Sequence, residues 1–391
     1  MLRTKPTIRS AAVLVVIMAI CCCGVVIIRA NMAPPMLAGG KMPVVRVQWG
    51  VPAKSIDYMA FSPSGQYICL VGRDGLISCY NSAGVKCFSA KTPGADRVVI
   101  SPDGSCTVAY SHLNPTNSEL TFLDSNGNVH WKMDVSGAVW SADSGYCDDG
   151  ACFAVGTGEK HVYLITINGN RKRYRRWRTP GVVSSVALDA SGKSIYYGTW
   201  QGSSLTRITT DGRRVWESYA DPANLQYIQA LDNPNRLFLR SIPNRSTATG
   251  EFELMNAKGR SLWDAVLDSS LCSRAFPSPD GQFVCVGYYK IITHKGKSTR
   301  EKHTALYDES GNELWDKGSL LFPAVPVLVT HRGYVLVNSG GNMLFAISPI
   351  GNLKQACELP AAIISALSSR DGTRAMVRCA DGKAYMLRIS Q

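Results

Sequence analysis

From residue 44 onward, short runs of aliphatic, aromatic and β-branched residues alternate with polar turns, and the pattern restarts at regular intervals. Residues 271–324 show one period. An apolar-rich stretch at 271–276 closes on Ser278-Pro-Asp-Gly281, with Pro and Gly where turn geometry favours them. Residues 282–288 have strand length and strand composition. A long polar loop over 290–303 then leads to a third strand at 304–307, the turn Asp308-Glu-Ser-Gly311 and a fourth strand at 312–315. Ser62-Pro-Ser-Gly65, Ser101-Pro-Asp-Gly104, Ala190-Ser-Gly192 and Arg370-Asp-Gly372 occupy the first turn of other periods. No segment beyond residue 30 sustains a helical period.

A second signal marks the third turn. A glycine is followed four residues later by tryptophan at Gly127/Trp131, Gly212/Trp216, Gly259/Trp263 and Gly311/Trp315. Degenerate copies are Gly84/Phe88, Gly169/Arg173 and Gly351/Gln355, so the glycines step by 43, 42, 43, 47, 52 and 40 residues. Self-similarity at such a period denotes a repeat architecture. Four antiparallel strands per repeat describe the blade of a β-propeller. The glycine supplies a positive φ, and the tryptophan is placed to pack on the neighbouring blade with its N–H on a carbonyl. The last repeat, 363–390, holds only three strands, and Val44-Val-Arg-Val-Gln-Trp49 is the missing fourth. The expected fold class is therefore all-β: an eight-bladed propeller over 44–391 closed by an N-terminal strand, with seven blades as the competing count.

Ahead of the repeats, residues 11–28 form an uncharged apolar run of 18 residues, enough to span a bilayer as one transmembrane helix. Arg3, Lys5 and Arg9 precede it and Arg29 alone follows, which puts residues 1–10 in the cytoplasm as a short tail. Residues 29–43 read as a linker, and the propeller is expected on the extracytoplasmic side. A cleaved signal segment is the alternative.

The formal charge is +13, concentrated in two places. Arg171-Lys-Arg-Tyr-Arg-Arg-Trp-Arg178 carries six cations on an outermost strand, with Arg171, Arg173 and Arg175 as candidate anion contacts. The loop 290–303 adds five, and Lys295, Lys297, Arg300 and Lys302 are its candidate contacts. Basic clusters attract anionic lipid or glycans, or simply form a solvated rim. Nucleic acid is not expected, because no matching motif accompanies them. Outside the apolar run there are ten cysteines. Cys147 and Cys152 flank an Asp-Asp-Gly turn and are the first candidate disulfide; Cys69 and Cys79, across Arg73-Asp-Gly75, are the second.

The second turns at 111–118, 241–250 and 290–303 are long where the others are tight, and the last two belong to adjacent blades. Long loops on a rigid scaffold are where recognition concentrates, so the last two are expected to build one ridge. No nucleophile, phosphate-cradling or metal motif is present: catalytic, cofactor-binding and metal residues are all none.

The Ser-Pro-Asp-Gly first turns resemble WD40-like repeats. Leu306-Tyr-Asp-Glu-Ser-Gly-Asn-Glu-Leu-Trp315 resembles the pyrroloquinoline-quinone (PQQ)-like repeat of quinoprotein dehydrogenases and of the BamB-type barrel-assembly propeller, with Ala305 at that repeat's alanine. The BamB resemblance implies a non-catalytic scaffold in envelope or surface assembly with a protein partner. The quinoprotein resemblance implies, alternatively, a PQQ-dependent enzyme. A solute-binding sensor is the third class.

Overall fold

The computed structural model describes residues 41–390 apart from 113–116, 170, 201–203, 220–222, 244–249, 268–270, 295–296 and 319–324. The expected transmembrane helix at 11–28 lies outside them. Among the described residues, no helix is long and apolar enough to cross a membrane.

The described strands form eight four-stranded antiparallel sheets, seven of them ordered as in the chain from the axis outward. Blades 1 to 7 span 56–91, 97–136, 139–178, 182–219, 223–267, 271–318 and 325–358. Blade 8 takes its three inner strands from 363–390 and its outermost from Val44–Pro52, which pairs antiparallel with Lys383–Ser390. Ring closure by the N-terminal strand therefore holds, and the count is eight. Strand alternation gives the disc two distinct faces. First and third turns lie on one, here the lower face, together with Val44 and Ser390; second turns and blade-to-blade connections lie on the upper face.

Each gap between adjacent blades holds its own apolar cluster, and there is one for each of the eight gaps. Stability is therefore distributed over nearest-neighbour interfaces. At the rim, the tryptophan of one repeat covers the third-turn glycine of the next. A Cβ on Gly84, Gly259 or Gly311 would fall 2.7–2.9 Å from Trp49, Trp216 or Trp263 respectively. The indole N–H groups of Trp49, Trp216 and Trp315 reach the carbonyls of Ser82, Ala257 and Ser348 at 3.1, 2.8 and 3.0 Å. These turns are held open for the ring by side-chain caps. Asp308 Oδ1 accepts from the amides of Ser310 and Asn312, and Asn256 Oδ1 from those of Lys258 and Arg260.

Blade 3 departs from the expected pattern. Its third hairpin is a tight turn pairing Asn168 with Arg171, and nothing lies within 4 Å of where a Cβ on Gly169 would sit. Arg173 does not take the tryptophan's place. Trp177, four residues further along the same face, packs on Gly212 instead.

Candidate interaction surfaces

The largest irregularity is in blade 6. Its second and third strands, Phe283–His294 and Lys297–Asp308, are each 12 residues long and stay paired from Phe283/Asp308 to His294/Lys297. The polar loop expected over 290–303 is thus a β-hairpin, because Tyr289, Ile291 and Ile292 face β-compatible partners and sustain the ladder. Six residue pairs beyond Tyr288/His303 carry it about 20 Å above the upper face. A polar clasp fixes its base. The Tyr288 hydroxyl donates to Asp316 at 2.6 Å, the other Asp316 oxygen lies 2.9 Å from His303 Nδ1, and the Tyr288 and His303 rings are 5.2 Å apart. Burial, then the Asp316 carboxylate, pushes the Tyr288 hydroxyl well above its usual range and keeps it a donor.

Pairing sorts the hairpin's side chains onto two faces. Tyr289, Ile291, Arg300 and Lys302 share one, with Ile291 52% exposed and Lys302 Nζ 5.9 Å from the Tyr289 ring centre. Lys290 and Glu301 oppose each other on the second face. Lys295 lies outside the described residues; Lys297 pairs with His294 at the tip. Most of the neighbouring loop, 244–249, is also outside them, so the two-blade ridge is not described.

The other basic cluster sits on the opposite side of the disc. Arg171–Arg178 is the outermost strand of blade 3 and rises from a third turn, on the lower face. The two clusters are therefore separate surfaces. Arg171, Arg173 and Arg175 share one side of this strand and are exposed. Arg175 Nη1 donates to the carbonyl of Thr210 in blade 4 at 3.0 Å. Lys172, on the other side, donates to the His130 carbonyl at 2.7 Å and lies over the Trp131 ring in blade 2. A notch of about 240 Å³ brings Arg173 and Arg175 beside Asp148 and Asp149.

Those aspartates belong to the loop closed by Cys147 and Cys152, which form a disulfide with Cα atoms 5.9 Å apart. Cys69 and Cys79 do face each other across adjacent strands, but both are free thiols. Burial, followed by the hydrogen bond to Cys79, raises the Cys69 thiol well above its usual range.

The innermost strands enclose a channel of about 510 Å³. Arg370, in the first turn of blade 8, reaches across it to Asp143 of blade 3 at 3.2–3.3 Å, and Asp143 also accepts from the Leu188 amide at 2.9 Å. Burial raises the carboxyl of Asp232 near this bridge. Among the described residues, no group of three or more His, Cys, Asp or Glu is arranged to hold a metal ion.

The upper face carries one feature that the repeat signal hid. Trp140 and Trp200 have no glycine four residues before them; they are 40% and 38% exposed, and their rings meet edge-on at 5.5 Å. His112 lies 6.0 Å from Trp140 and is anchored through Nδ1 to the Val139 carbonyl at 3.0 Å. The missing glycine marks them as outside the regular series, but Trp49 and Trp177 lack it too and still pack on Gly84 and Gly212, so that signal alone does not separate exposed from packing tryptophans.

Fold and surfaces together define an eight-bladed β-propeller with one hairpin-bearing face and one basic face. No protein-family model and no curated protein matches the chain. Among solved structures it is similar to the Dos1 propeller, at 11% identity and TM-score 0.64, over 88% of this chain and 95% of that one. It is also similar to the Cps50 (Swd1) β-propeller domain of Myceliophteria thermophila, at 9% identity and TM-score 0.56, over 88% and 99%. The hydrazine synthase of Kuenenia stuttgartiensis aligns at 15% identity and TM-score 0.52, over 76% and 96%. At these identities the likeness establishes the architecture alone.

Proposed function

We propose that this protein is a membrane-tethered, extracytoplasmic scaffold that holds a protein partner on the upper face of its propeller. The hairpin of blade 6 carries this reading. It extends a rigid sheet well beyond the disc, is clasped at its base, and presents Ile291 and Arg300 together on one exposed face. Aromatic, aliphatic and arginine side chains are the groups that anchor protein interfaces. The exposed Trp140–Trp200 pair lies on the same face. The tether would leave from the other side, where Val44 begins the closing strand, so the upper face points away from the membrane. The BamB-like segment 306–315 supports the scaffold class.

The test is photocrosslinking in native membranes from probes placed at Ile291 and Arg300. A single crosslinked protein species is expected from both positions. Replacing 291–300 with a two-residue turn keeps Lys290 opposite Glu301 and should abolish that protein's co-purification. Co-purification unchanged by the replacement would rule the hairpin out as the docking element.

A further inference from the structure

We infer that the lower face lies on an anionic lipid surface through a basic arc formed by three consecutive third turns; this rests on the membrane-tethered reading above. The arc comprises Arg171 and Arg173 of blade 3, Arg213 and Arg214 of blade 4, and Lys258 and Arg260 of blade 5, all exposed. The repeat itself brings them together. Trp177 packs on Gly212 and Trp216 on Gly259, so each basic turn is seated against the outer strand of the blade before it. Arg175 reinforces the first junction through Thr210, and Trp216 the second through Ala257.

Acidic groups do not cancel the arc. Glu217 is committed to Arg214 at 2.7 Å, and Asp148 and Asp149 sit in the notch beside Arg173. With Asp211 and Asp264 they make five carboxylates, against eight cations once Lys172 and Arg175 are counted.

The same rim exposes apolar side chains. Val129, Tyr174, Val215 and Leu262 are 55, 56, 46 and 43% exposed, all on or beside third turns of blades 2 to 5. Three of these are aliphatic and one is a tyrosine. A bilayer interface accepts cations at the headgroups and aliphatic groups at the acyl boundary.

Chain path supplies the third argument. The apolar run ends at residue 28, and the closing strand begins at Val44 on this face. The sixteen steps from residue 28 to Val44 reach at most about 58 Å even if fully extended, which tethers the lower face within that distance of the bilayer.

The experiment places the full chain in nanodiscs of neutral phosphatidylcholine, or of phosphatidylcholine with phosphatidylglycerol, and follows amide hydrogen exchange. Residues 171–175, 210–215 and 257–262 should exchange at least about tenfold more slowly in anionic discs, and lose that protection at about 1 M salt, where the Debye length falls to about 3 Å. The combined variant Arg171→Glu, Arg173→Glu, Arg213→Glu, Lys258→Glu should lose it at low salt too. A milder set with glutamine at the same positions guards against misfolding, and Arg300→Glu with Lys302→Glu should keep full protection. Equal exchange in both discs overturns the inference while leaving the tether intact. Protection by polyglutamate in neutral discs, without protection by anionic lipid, overturns it in favour of an acidic protein. Release of the chain from native membranes by alkaline carbonate overturns the tethered reading instead; cosedimentation with anionic vesicles then tests the arc by itself.

Discussion

Arg370 and Asp143 meet across the channel at 3.2 Å, tying the blade that closes the ring to blade 3. Both side chains are about one-fifth exposed, at 22% and 18%. Asp143 and Tyr227 hold the guanidinium firmly protonated, with the carboxylate the dominant influence. Removing one partner strands the other in the channel, which costs more than the pair contributes.

Arg370→Met is therefore expected to lower stability by roughly 2 kcal/mol, and Asp143→Asn by less, since the Leu188 amide retains an acceptor. The double variant should recover part of the loss. A double-mutant cycle on urea unfolding reads the coupling; additive losses would show that the bridge does not strap the ring.

Trp49 and Gly84 make the closure specific. Gly84 has φ 84°, and a Cβ there would lie 2.7 Å from Trp49 Cγ. Gly84→Ala should cost about 2–3 kcal/mol, part for the backbone conformation and part for the displaced indole. Gly169→Ala, with nothing within 4 Å, should cost only the backbone share of about 1 kcal/mol. In a Trp49→Ala background the Gly84 substitution should fall to that smaller value. Equal costs at Gly84 and Gly169 would deny the indole its part in closing the ring.

The Gly–Trp spacing announced the blades, their number and the closing strand because turn backbone and rim packing both impose residue identity. It did not say which glycine each tryptophan covers. That relation joins successive repeats, so Trp177 rather than Arg173 serves Gly212. Charge by itself does not say which face a cluster occupies, since that depends on whether its turn is the second or the third. The 290–303 segment looked like a loop because Lys, Thr and Ser outnumber its apolar residues. Cross-strand pairing, not composition, decides that it is a hairpin.

The cysteines make opposite predictions. Intact mass and thiol labelling under denaturing conditions should find Cys147 and Cys152 blocked until reduced, and Cys69 and Cys79 free. Because the bridge closes a loop of only a few residues, Cys147→Ser with Cys152→Ser should cost roughly 2 kcal/mol. Labelling of Cys147 without reductant would refute the pairing.

Glu253 supplies the pH dependence. It stands directly opposite Asp264 in blade 5, and its carboxyl is pushed up to about 7, first by burial and then by Asp264 and Glu251, against a hydrogen bond from Ser261. The folded pKa lies above the unfolded one, so the folded chain keeps a proton that the unfolded chain has released. Stability should therefore fall as pH rises from about 4.5 to about 7, and then stay level. The full shift corresponds to roughly 3 kcal/mol, and partial solvation reduces the expected effect to about 1–2 kcal/mol. Glu253→Gln should match the parent near pH 4.5, exceed it by that amount near pH 8, and flatten the profile between. Urea midpoints across this range decide the matter. Parallel profiles for parent and variant would mean that the carboxylate is already ionised and hydrated in the folded blade.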